Sequence, residues 1–307
     1  MKTISGLTNE LKKNRVLFLM ILPAVLVVLA VGYIPMFGIV LAFKDYHFDL
    51  GVFGSPWNGF TNFKFFFQSG TGLHVTINTI LYNLLNITTS QGLAILIAVF
   101  LSEMRGRLFK RVSQSVIFLP YFISWIIVGA FVYNIFNYER GILNNILTIL
   151  GKTPINMYAI SWVWVVIICL FNSWKWVGYN SVVYIAAIAG VDTSCYEAAD
   201  LDGATMFQKV YFITLPSIKN TIIIILLLNL GRILRGDFQM FYQIIGNNGQ
   251  LFNATDVIDT FVFRSLINNG DIGMTAAASF YQSIMCFVII ITVNWIVKKV
   301  SEENALF

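Results

Sequence analysis

The chain has 307 residues, 57% of them hydrophobic and only 11% charged, with a formal net charge of +5. A soluble domain carries about a quarter charged residues, so this composition excludes an ordinary water-soluble protein and calls for an apolar solvent. The basic residues sit at the ends of apolar blocks rather than in one patch, which points to membrane orientation and not to nucleic acid.

Six apolar blocks follow one another at roughly 16–43, 75–101, 112–135, 159–190, 216–235 and 276–297. Crossing a bilayer takes about 20 residues of helix, so the pattern predicts an all-α protein of six transmembrane helices. The first block follows Lys12, Lys13 and Arg15 and therefore has to be weighed as a secretory signal. A signal has an apolar region of about 7–15 residues and a small-residue cleavage site. Block 16–43 is too long and has no such site, so it reads as a retained helix, tilted or kinked near Pro23 and Pro35.

Lys and Arg set the expected orientation. With the N-terminus cytoplasmic, the inner segments hold Lys2, Lys12, Lys13, Arg15, Arg105, Arg107, Lys110, Arg111, Lys209, Lys219, Lys298 and Lys299. The outer segments, 44–74, 136–158 and 236–275, hold Lys44, Lys64, Arg140, Lys152 and Arg264. The excess on one side predicts both termini in the cytoplasm. The five Phe residues within 60–67 read equally as an aromatic anchor at the membrane interface or as part of a docking surface.

Several short patterns do not add up to chemistry. Gly151-Lys152-Thr153 resembles the end of a phosphate-binding loop, but Ile146 stands where that loop needs glycine. Asn86-Ile87-Thr88 fits a glycosylation sequon but lies inside a span; Asn253-Ala254-Thr255 is in an outer loop, where chance matches are common. Cys169, Cys195 and Cys286 have neither metal-site nor disulfide spacing, and His47 and His74 have no ligand-type neighbours. No catalytic constellation and no metal site is expected.

The link between the fourth and fifth blocks is different. Ser194 and Glu197 have capping-box spacing, which predicts a short helix start. Ala198 and Ala199 offer a surface that another protein can approach closely. Gly203 permits a turn. Phe207, Val210 and Tyr211 give a second short helix an apolar face, and Pro216 suits the first turn of the next span.

Taken whole, Glu197-Ala198-Ala199, then Asp202-Gly203-Ala204, then Ile213-x-Leu215-Pro216 resembles the EAA loop of binding-protein-dependent ABC importer permeases. Ile34-Pro35-Met36 with the stretch 42–46, Trp174-Lys175-x-Val177-Gly178, and the stretch 256–264 resemble the polysaccharide-type sugar permeases, so the likeness covers nearly the whole chain. The resemblance implies a single permease domain, 1–307, of the type I importer fold, with a cytoplasmic coupling loop at 191–215. Glu197, Ala198, Ala199, Asp202, Gly203, Ala204, Leu215 and Pro216 would dock on a separate ATPase. No cofactor is expected on this chain; ATP and Mg would be bound by that partner. The implied partners are two ATPase subunits, a second and non-identical permease, an extracellular solute-binding protein, the lipid bilayer and an oligosaccharide. The implied location is the bacterial cytoplasmic membrane.

In sugar permeases the spans flanking this loop line the translocation path. That places Asn172, Trp174, Lys175, Trp176, Tyr179, Asn180, Asn229, Arg232, Arg235 and Asp237 there, as amide or charged side chains and aromatic faces that suit sugar hydroxyls and C–H faces. The bland alternative has Lys175, Arg232 and Arg235 snorkelling to an interface, or Arg232 pairing with Asp237. Two other functions stay open at this point: an ABC importer permease for a non-sugar solute, and a secondary transporter that needs no ATPase.

Overall fold

A helix that is apolar all round finds its solvent in lipid, and such helices dominate the architecture. The computed structural model describes residues 13–68, 70–104 and 106–300, so Lys2, Lys12 and Arg105 of the charge pattern lie outside the described residues. The first helix, α1 (Arg15–Phe43), widens to a π-turn at Leu29–Tyr33 and then tightens over Ile34–Phe43. Pro35 withholds one N–H from the ladder, and the helix adjusts around it without a sharp break. A short outer helix, α2 (Thr61–Gln68), leads into α3 (Thr71–Glu103). Next come α4 (Arg107–Phe122), α5 (Trp125–Phe136), α6 (Ile142–Ile149) and α7 (Ser161–Ala189). The link helices are α8 (Thr193–Leu201) and α9 (Met206–Ser217), followed by α10 (Lys219–Leu230). The chain closes with α11 (Phe238–Ile245), α12 (Ile258–Asn269) and α13 (Ile272–Val300).

Four of these helices, α1, α3, α7 and α13, are long and apolar enough to cross a membrane, and the count reaches six if each of two bent pairs is one span. The bends correct the picture of six straight blocks. The third block is two helices, α4 and α5, meeting at 91°. Helix α4 starts ahead of that block, carrying Arg107, Lys110 and Arg111 on an amphipathic helix, and Pro120 stops the run before Ser124 starts α5. Likewise α9 and α10 meet at 59°. The fifth block also ends early: helix stops at Leu230, and residues 231–237 form turns and irregular backbone before α11.

The helices α3 and α7 form the centre. Ala94 and Ala98 of α3 pack against Tyr184 and Ile188 of α7, and the Tyr184 hydroxyl donates to Gln91 Oε1 at 2.8 Å. A second apolar cluster joins α5, α7 and α11 around Trp125, Val128, Trp164 and Phe241. A third joins α2, α3, α12 and α13 around Phe66, Val75, Ile258 and Ala278. The Phe-rich stretch is therefore only partly a surface. Phe66 is fully buried against Phe261 and Tyr281, and Phe63 packs on Phe43 and Phe280, while Phe60 and Phe65 stay exposed. Helix α1 is the opposite case: none of its most apolar stretch is buried within the chain.

Close approach sets the α4–α7 contact. A Cβ at Gly178 would stand 2.1 Å from the Ile117 carbonyl oxygen, backbone that cannot rotate away. We expect Gly178→Ala to destabilise the protein by about 1–3 kcal/mol, the usual consequence of overpacking. It should lower the thermal midpoint of the purified protein in detergent, whereas Gly92→Ala, with nothing within 4 Å and inside a helix that favours alanine, should not lower it.

Candidate functional site: a polar cavity and an exposed helix pair

Polar side chains within spans are costly unless they face a bundle interior or water. Here they converge. Asn83, Asn86 and Ser90 stand at three- to four-residue spacing on one face of α3, with Gln91 beside them, and Asn172, Trp176, Tyr179 and Asn180 share a face of α7. Together with Asn229, Arg232, Arg235 and Asp237 they line a cavity of about 570 Å³. Tyr179 stacks on Tyr121 at 4.6 Å, and Trp176 meets the same ring edge-on at 5.5 Å. Amide dipoles beside aromatic faces suit a ligand with hydroxyl groups and C–H faces.

Of the residues expected in this path, Trp174 and Lys175 do not line the cavity. Trp174 lies in an apolar groove on another face of α7, with Leu85, Leu93, Val166 and Leu170. A residue two positions along a helix is turned by about 200°, so Trp174 cannot share the face of Asn172 and Trp176. The α3 wall went unread in the sequence, although 83, 86, 90 and 91 carry a helical period of polar residues; Asn86 drew notice only as part of a sequon.

One break in the helices, 231–237, lines the cavity, and another, 119–124, packs through Tyr121 on its residues Trp176 and Tyr179; side chains satisfy the backbone of both. At 119–124 the Lys175 ammonium donates to the Tyr121 carbonyl at 3.0 Å and to that of Ile123, and lies 5.3 Å from the centre of the Trp125 ring. Lys175 is 6% exposed, so it does not snorkel; it caps a broken helix from inside. At 231–237, Asn83 donates to the carbonyls of Ile233 (2.8 Å) and Arg235 (3.2 Å), and Gln282 to that of Leu234 (2.6 Å). The Gly236 N–H donates to Asp259 Oδ2 at 2.7 Å. Asp237 does not pair with Arg232. It caps α11 through the Met240 N–H at 3.1 Å and accepts the Trp125 indole N–H at 2.8 Å.

The link after α7 forms the second feature. Asp192, not Ser194, caps α8, accepting from the Ser194 N–H at 2.9 Å. These hydrogen bonds from Ser194 hold the Asp192 carboxyl below its ordinary range. A short carboxylate reaches the N–H two residues on, which moves the helix start upstream and leaves Glu197 exposed on α8 instead of committed to a capping box. The true capping box is Thr205 with Gln208, at the start of α9.

Between them, Gly203 takes φ +73°. The Ala204 N–H reaches the Ala199 carbonyl at 2.9 Å and the Gly203 N–H that of Asp200 at 3.2 Å, the Schellman pattern for ending a helix. Tyr196 hydrogen-bonds Thr214 at 2.9 Å, tying the pair together. A groove of about 280 Å³ bordered by Ala199, Asp202, Gly203, Ala204 and Phe212 opens between the two helices. Leu201 is 90% exposed and Phe207 85%. Of the expected docking residues, Ala198, Pro216 and Asp202 are also exposed, and Leu215 is half-buried beneath them. The Gly151-Lys152-Thr153 look-alike is the end of α6, where Gly151 takes φ +70° and the Lys152 N–H returns to Leu147.

A bundle of membrane helices with a polar cavity and an exposed helix pair at one end is the build of a transport permease. Residues 92–302 match the family described as binding-protein-dependent transport system inner membrane component, and the chain belongs to that family. Protein LplB of Bacillus subtilis (strain 168) is 32% identical over 294 residues, covering 96% of this chain and 92% of LplB. The polygalacturonan/rhamnogalacturonan transport system permease protein YteP of the same organism is 31% identical over 295 residues, 96% of this chain and 91% of YteP. Among solved structures, a bacterial ABC transporter involved in the import of the acidic polysaccharide alginate has a chain that matches with TM-score 0.86 at 29% identity, covering 96% of this chain and 99% of that one. The fold is thus that of an ABC importer permease.

Replacing Lys175 by Met should leave two carbonyls at the α4–α5 break without their donor. Each unpaired buried group is expected to cost about 1–3 kcal/mol, read as a lower melting temperature of the purified protein. Faster proteolysis near 119–124 should accompany it.

Proposed function

We propose that this chain is the permease subunit of an ATP-driven importer that moves oligosaccharides across the bacterial cytoplasmic membrane. The observation that carries the reading is the amide- and aromatic-lined cavity, joined by the single helix α7 to the exposed α8–α9 pair. The relatives support it, since YteP and the alginate transporter handle polysaccharides. So does a second solved structure, a bacterial alginate ABC transporter in complex with an alginate pentasaccharide-bound periplasmic protein. A chain of that complex matches this one with TM-score 0.85 at 28% identity.

In this reading both termini are cytoplasmic, in line with the Lys and Arg asymmetry. A second, non-identical permease completes the pore, and an extracellular solute-binding protein delivers the sugar. ATP and Mg are bound and ATP hydrolysed on two separate ATPase subunits, and this chain catalyses no reaction itself. Glu197, Ala198, Ala199, Asp202, Gly203 and Ala204 form the ATPase-docking element, and their movement is passed along α7 to the cavity.

Gly203 tests the docking role cleanly. Nothing lies within 4 Å of a Cβ built there, so the constraint is the left-handed backbone and not space. Valine should cost about 1–2 kcal/mol of local strain and reshape the turn, whereas asparagine tolerates that region. Gly203→Val is expected to lose ATPase co-purification and oligosaccharide uptake while the chain still inserts and folds. Gly203→Asn should retain both. Full uptake by the valine variant refutes the docking role.

A further inference from the structure

We infer that the cavity selects acidic oligosaccharides, with Arg232 and Arg235 receiving the carboxylates of the solute. The inference rests on the reading of this chain as an oligosaccharide permease and adds the charge of its cargo.

Three observations carry it. First, both guanidiniums line the cavity from the irregular stretch after α10 and both are exposed to it. They are held on one turn, with the Arg235 N–H donating to the Arg232 carbonyl at 2.8 Å. Among the described residues neither forms an ion pair. Second, the carboxylates nearby are already engaged. Asp237 is taken by the Trp125 indole and the Met240 N–H, and its charge acts on Lys175. Asp259 feels Arg235 at a distance, but it lies half-buried beneath Gly236 and accepts from Gly236 and Gln282. Third, Asn172, Asn180 and Asn229 line the same cavity as the guanidiniums, and side-chain amides suit the hydroxyls of a sugar.

The physics then separates neutral from acidic cargo. A neutral glycan is recognised by amides and rings alone and gives no return for two cations placed among low-dielectric walls, where charge is costly. Walls of that kind concentrate the field of two like charges and raise the local concentration of an anion. A guanidinium also meets a carboxylate with two parallel hydrogen bonds, which an ester does not reproduce.

The test compares a galacturonic acid trisaccharide with its methyl ester, which keeps the rings and hydroxyls and removes the charge. Binding is measured to the complete permease–ATPase complex in nanodiscs, without solute-binding protein, at low and high salt. The wild type should bind the acid more tightly than the ester, and salt should weaken the acid only. Arg232→Gln/Arg235→Gln should weaken the acid at least about tenfold and leave the ester unchanged.

Equal binding of the two forms by the wild type overturns the charge inference alone. Equal loss of both in the variant does the same, because it marks a structural role. Binding of neither form at millimolar concentration instead overturns the oligosaccharide reading beneath it. If the glutamine variant fails to assemble, Arg232→Lys/Arg235→Lys decides: it keeps the charge and should keep the preference for the acid, and loss of that preference in an assembled complex refutes the inference.

Discussion

Backbone N–H and C=O groups in a bilayer have no water to fall back on, and this constraint organises the structure. Intact helices satisfy it internally. This chain breaks its helices twice, at 119–124 and at 231–237, and each break needs hydrogen-bond partners from elsewhere. Lys175 of α7 serves the first; Asn83 of α3, Gln282 of α13 and Asp259 of α12 serve the second. The continuous helices thus hold the broken ones. Interrupting the ladder at 231–237 places Arg232, Arg235 and Asp237 on the wall of a polar cavity, which an unbroken apolar span does not provide.

The same helices connect the cavity to the exposed link. Cavity residues from 172 to 180 lie on one helix, which ends at Ala189, two residues before the link begins at 191. Near its lower end the helix is locked to α3 by buried small residues and by the Tyr184–Gln91 hydrogen bond. In the proposed reading, displacing α8 against such a packed pair would shift rigid bodies, because close-packed interiors transmit strain. The Schellman turn at Gly203 and the Tyr196–Thr214 bond keep α8 and α9 acting as one unit.

Much of the cavity lining was legible because its residues break the local apolar pattern. Arg232, Asp237, Asn172 and Asn180 stand out in a hydrophobic context on chemistry alone. Trp174 was misplaced since a set of aromatics taken together ignores the turn of about 100° per residue. Lys175 stayed undecided because a charged residue in a span has several outcomes, and choosing among them requires the carbonyls of a segment more than fifty residues away. Ser194 and Glu197 fit a capping box by spacing, yet Asp192 competes for the same helix start and reaches it first.

From the sequence alone came membrane residence, the number of apolar blocks and the link resembling an EAA loop, since these depend on composition and on local spacing, both of which are properties of the linear chain. The bends in the third and fifth blocks, the polar wall of α3 and the stapling of each break were decided only in three dimensions. Their physical reason is common to all: a backbone group freed at one place is satisfied by a donor or acceptor distant in sequence, and such partners exist only once the helices pack.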